Sequence, residues 1–159
     1  MIIRNLAILL FVSHSFASAL GSLVSFGIKH DLAFGTASVL APPRWTLSLR
    51  PLKQAFEAYP YDVFANRISG KKHVMTIWVT NQNRTALFKS SRNVNLCING
   101  LHSREEVDKN GIHYQIKLPE NSRYKFVFAD IASQMPDEVL RAKAMVHSIR
   151  AKDGVRECR

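Results

Sequence analysis

Cysteine is scarce in this chain, with two residues, Cys97 and Cys158, in 159. That excludes a metal site built on cysteine pairs and leaves folding to an apolar core rather than to many crosslinks. Acidic side chains are also few, 12 against 22 Lys and Arg, for a formal charge of +10. Low-complexity tracts and internal repeats are absent, which excludes a repeat array and leaves about one domain's worth of chain. The six histidines, His14, His30, His73, His102, His113 and His147, include no pair at i, i+4 on a helix or i, i+2 on a strand. No metal or cofactor is therefore expected.

What is present begins with a leader pattern. Arg4 precedes a short apolar run, Leu6–Val12, and then a small, polar stretch ending in Ala17-Ser18-Ala19. These are the charged, apolar and small-x-small parts of a secretory signal, with cleavage expected near Ala19. No cysteine follows the run, which excludes a lipid-anchored lipoprotein. The rival reading is a retained anchor over residues 6–28, since Leu20, Leu23, Val24, Phe26 and Ile28 prolong the apolar character. The expected organisation is a signal peptide at 1–19, an N-terminal lead-in at 20–40 and a single domain at 41–159, placed in the periplasm or outside the cell.

Both remaining clues fit that compartment. An even cysteine count in an exported chain predicts a Cys97–Cys158 disulfide. Arg4 is the only Lys, Arg, Asp or Glu in the first 19 residues, so the basic excess stays with the domain. A positive domain outside the cytoplasm points to an acidic protein or an anionic envelope component as partner, not to nucleic acid.

Periodicity gives the elements. Trp45–Leu49 alternates as a strand, and Leu52, Ala55, Phe56 and Tyr59 follow at helical spacing, stopped by Pro60. His73–Thr80 is apolar on both faces, as in a covered strand. Val94, Leu96 and Ile98 give another strand. Ile112–Leu118 and Arg123–Phe128 form a hairpin, with Tyr114, Phe126 and Phe128 expected on an inner face and Lys117, Arg123, Lys125 and His113 on an outer, basic one. A long helix is expected over 136–152, with Arg150 and Lys152 complementing its dipole. The expected fold class is α+β: an antiparallel sheet flanked by helices, the long C-terminal helix packed on it.

That order, with the segments APPRWTLSL, YKFVFADI and MVHSIRAK, resembles the PsbP-like α/β/α sandwich over residues 38–152. The resemblance implies a mostly non-enzymatic accessory, binding or neutralising role and carries no site residues over. Two candidate binding regions come from the residues themselves. One is the basic hairpin face: Lys117, Arg123, Lys125 and His113. The other is a charged stretch, Arg104, Glu105, Glu106 and Asp108, expected as a recognition loop. Ser69-x-x-Lys72 and Ser122-x-x-Lys125 match a short Ser-Lys pattern, but neither serine opens a helix as that chemistry requires. Asn83-Arg84-Thr85 is a glycosylation sequon. The leading expectation is a non-enzymatic exported domain, inhibitor- or immunity-like or an envelope accessory. The alternatives are a small hydrolase of an anionic envelope polymer, with Asp130 or Glu106 near a histidine, and a membrane-anchored subunit.

Overall fold

The computed structural model describes residues 27–51, 58–83, 93–154 and 156–159. The leader, the start of the expected first helix (Leu52–Phe56), the stretch 85–88 and the second and third sequon residues lie outside the described residues.

Ten strands and one helix make up the described chain: β1 Ile28–Leu32, β2 Ala37–Ala41, β3 Trp45–Leu49, β4 Ala58–Arg67, β5 Gly70–Thr80, β6 Asn93–Ile98, β7 Leu101–Asp108, β8 Gly111–Lys117, β9 Phe126–Ile131, α1 Pro136–His147 and β10 Arg150–Ala151. Two antiparallel sheets result. One has the order β1-β2-β10, the other β3-β4-β5-β9-β8-β7-β6.

This corrects the expected fold class. The protein is mostly β, with two antiparallel sheets and, among the described residues, one helix of 12 residues, not a sheet flanked by helices with a long C-terminal one. Ala58, Tyr59 and Pro60, expected to close a helix, open β4 instead. Pro60 lies just past the end of β3, where its oxygen accepts from Arg50 N–H at 2.8 Å, so its missing N–H interrupts no long ladder. Residues 102–108, expected as a loop, form β7 between β6 and β8.

The C-terminal helix also stops early. Asn99 Nδ2 donates to the oxygens of His147, the last helical residue, and of Ile149 just beyond it, both at 2.8 Å. Ser148 Oγ accepts from Leu40 N–H at 2.8 Å and donates to Met145 O at 2.6 Å. The chain then extends, and Arg150 and Ala151 pair with Ser38 and Ala37 of β2. Arg150 and Lys152 thus leave the helix end for the edge of the small sheet.

One face of the large sheet carries the core. Val63, Met75, Ile77, Val79, Val127, Ala129, Ile131, Tyr114 and Ile116 are fully buried there, against Ala142, Met145 and Val146 of α1 and Ile149 just after it. Residues 28–41, read as a lead-in, form the β1–β2 hairpin and add Leu32, Ala37 and Val39 to the same core.

Cys97 and Cys158 are joined, with Cα atoms 5.8 Å apart. The β6–β7 turn prepares that union. Asn99 and Gly100 both have positive φ, 50° and 83°, as a two-residue hairpin turn requires. A Cβ on Gly100 would lie 2.9 Å from Arg156 Cα, so only glycine lets the tail pass so close. Gly100 O then accepts from Glu157 N–H at 2.7 Å and Cys158 N–H at 3.1 Å.

Candidate functional site

The second face of the large sheet collects polar side chains in one cross-strand row. Ser48, Asp62, Thr76, Asp130, His113, Glu106 and Asn93 are directly opposed from β3 through β6. Two clusters arise from it. In the first, Arg50 grips Asp62 through both guanidinium arms, and His73 Nε2 lies 3.1 Å from Thr76 Oγ1 and 3.4 Å from Asp62 Oδ1. The hydrogen bonds from Arg50 hold the Asp62 carboxyl below its ordinary value against the opposing effect of burial. In the second, His113 sits between two carboxylates, Nδ1 at 2.8 Å from Asp130 and Nε2 at 3.1 Å from Asp108.

The second cluster brings Asp130 to a histidine, as the hydrolase alternative requires. Its geometry suits a clamp better than a catalyst. Burial works against the imidazolium, but the hydrogen bonds to Asp130 and Asp108 outweigh it and raise the His113 pKa. In the protonated form both ring nitrogens can donate to these carboxylates, and that form has no lone pair to take a proton from substrate. A raised folded pKa means that His113 stabilises the fold below the unfolded value near 6.5, and that this contribution fades as pH rises through the folded value. His147 opposes it: burial lowers its pKa, so its contribution grows as pH rises. We therefore expect the stability gap between wild type and His113→Gln to be larger at pH 5.5 than at pH 8.5. Urea midpoints of both proteins at the two pH values check this, and a gap that widens with pH contradicts it.

The sequence-derived candidates do not converge. Lys125 Nζ donates to Glu120 O and to Ser122 O, the latter at 3.2 Å. Arg123 lies over the rings of Phe34 and Tyr124 at 5.4 and 5.7 Å. Lys117 stands opposite Phe126 on the second face, away from both. In the charged stretch, Glu105 points to the helix side, where Lys143 Nζ reaches its oxygens at 3.1 and 3.2 Å and Tyr114 donates to it. Glu106 points the other way and is 3% exposed. Arg104 is half-buried opposite Gln115, and Asp108 accepts from the N–H groups of Asn110 and Gly111 at 2.7 and 3.1 Å. These residues build the sheet rather than a recognition loop.

A different surface gathers basic side chains, of which Lys29 is paired with Asp31 at 3.7 Å. Three clefts adjoin one another where the small sheet meets the C-terminal segment. The first, about 500 Å³, is lined by Arg150, Arg156 and Arg159 beside the disulfide. The second, about 780 Å³, shares Arg150 and adds Lys29, Lys152 and Asp31. The third, about 270 Å³, shares Lys152 and adds Arg123, Asp153 and Phe34. The strip thus carries six basic side chains against two acidic ones. Arg150, Lys152, Arg156 and Arg159 have no ion-pair partner among the described residues, whereas Arg50, Arg67 and Lys143 are each bound to a carboxylate. Phe34, at the far end, is 74% exposed with φ at +58°. An exposed aromatic in that conformation sits in a region few non-glycine residues occupy.

Periodicity missed this strip because it extended the helix through Arg150 and Lys152. The available signal was the density of cations around Cys158, which the disulfide folds back onto the sheet. No protein-family model matches the chain, and no curated protein matches it either.

Proposed function

We propose that this chain is an exported, non-enzymatic domain that holds an anionic macromolecule of the envelope against the strip running from Phe34 to Arg159. The carrying observation is the six-to-two excess of basic side chains along three adjoining clefts, with its four C-terminal cations lacking an ion-pair partner among the described residues. Arg and exposed aromatic side chains are the types that anchor interfaces. The leader pattern and the disulfide support export, and among the described residues no helix is long and apolar enough to cross a membrane.

The test replaces Arg150, Lys152 and Arg156 by Glu in the leaderless chain. A cation near an anionic surface contributes on the order of 1 kcal/mol, so losing three should weaken retention on envelope fractions at least roughly a hundredfold. The control carries Glu at Lys71, Lys72 and Lys109, exposed residues outside the strip. It should bind far better than the strip variant in the same buffer. Equal retention of the two variants overturns the reading. So does cleavage of the bound polymer by the wild type that His113→Gln abolishes, which restores the hydrolase alternative.

A further inference from the structure

We infer that the cleft beside the disulfide is a binding site for a phosphomonoester group carried on a sugar or a lipid headgroup. The inference rests on the basic strip being the contact surface and names the chemistry of the part beside the disulfide.

Charge comes first. Arg150, Arg156 and Arg159 line the cleft, and among the described residues no Asp or Glu does. Guanidinium groups present forked donors that match phosphate oxygens two at a time. Three of them balance a dianion better than a monoanion, which favours a phosphomonoester over a carboxylate, a sulfate ester or a phosphodiester. Volume comes second. A space of about 500 Å³ is far larger than one phosphate and falls in the range of sites that take a small organic molecule, so the attached sugar or headgroup fits as well. Rigidity comes third. Arg150 is held by the β10–β2 pairing, while Arg156 and Arg159 flank Cys158, which is fixed by its bond to Cys97 and by the hydrogen bonds to Gly100 O. A preformed site loses less on binding than arginines on a loose tail. Glycines on two sides of the cleft, Gly100 and Gly154 with φ of 83° and 59°, keep side chains out of it.

The test is a titration of the oxidised, ¹⁵N-labelled chain followed by NMR. The probes are inorganic phosphate, a hexose 6-phosphate, the same hexose 6-sulfate, and vesicles with and without phosphatidic acid. The hexose phosphate should move the amide signals of Gly100, Ala151 and Gly154 and bind more tightly than the sulfate. Arg156→Gln and Arg150→Gln should each weaken it roughly tenfold or more, as loss of a charge-assisted hydrogen bond does, while Lys71→Gln leaves it unchanged. Vesicle binding that needs phosphatidic acid and is lost in Arg156→Gln assigns the group to a lipid; binding of the soluble sugar phosphate alone assigns it to a glycan. Equal affinity for phosphate and sulfate, an unaltered Arg156→Gln, or no response to any phosphomonoester overturns the inference. If envelope retention still depends on Arg150, Lys152 and Arg156 in that last case, the strip stands and the cleft alone is refuted.

Discussion

Tyr114→Ala should cost about 3–5 kcal/mol of folding stability, the range for removing a large ring from a closed core. The ring is 0% exposed. It stands opposite Ala129 of β9, whose small side chain leaves the space the ring fills, and His147 of α1 meets it edge-on at 6.0 Å between centroids. Its hydroxyl donates to Glu105, and burial, then that carboxylate, push its pKa far above the ordinary tyrosine value. Tyr114→Phe should therefore be much milder, about 1 kcal/mol, because Lys143 still satisfies Glu105. Urea unfolding of both variants separates packing from the hydrogen bond. A Phe variant as unstable as the Ala variant contradicts the assignment of most of the effect to the ring.

Tyr114 also marks where the sequence could and could not be read. The strands β3, β5, β6, β8 and β9 were visible as alternating runs, and the β8–β9 hairpin was correctly paired in outline. The parity of β9 was not visible. Phe126 and Phe128 alternate, and their size leads one to expect them on the inner face with Tyr114. The register instead opposes Tyr114 to Ala129 and Ile116 to Val127. Phe126 and Phe128 therefore lie on the second face, near Trp78. A shift of one residue exchanges the faces of a strand, and the hairpin's connecting segment, 118–125, sets that parity without a period of its own. Side-chain size cannot decide it when both faces are apolar, as in β9.

The charged residues of β7 failed for another reason. Local polarity argued for a loop, but Glu105 is matched by Lys143, 38 positions away, and by Tyr114. Glu138, in the first turn of α1, is likewise matched by Arg67, 71 positions away, and by Ser133; burial opposes its charge, yet these partners hold its pKa below the ordinary value. Partners distant in sequence override local preference wherever they satisfy a charge, and no window of a few residues contains them. The same holds for the candidate site. Its cations were legible as residues, but their convergence depends on a helix that ends five residues sooner than its periodicity and on a tail turned back by a crosslink.

That crosslink supports the second large prediction. The bond joins residues separated by 61 positions, and closing a loop of that length stabilises the folded state by about 4 kcal/mol in the chain-entropy account. Reduction, or the Cys97→Ala/Cys158→Ala pair of changes, should lower the unfolding free energy by about that amount in urea. It should also have a local consequence that Tyr114→Ala lacks. With the bond gone, the end of the tail keeps, among the described residues, the two hydrogen bonds of Glu157 and Cys158 N–H to Gly100 O and the packing of Arg156 on Gly100. These lie at an exposed turn, where water competes for the same oxygen. Amide exchange at 156–159 should then become fast under conditions where the core strands β5 and β9 stay protected. Arg156 and Arg159 lose their fixed positions while Arg150, held by β10, keeps its own. Affinity for an anionic partner should accordingly fall in the cysteine-free protein even where it remains folded. If that protein binds as tightly as the oxidised form, the arginines act as a diffuse charge and the disulfide serves stability alone.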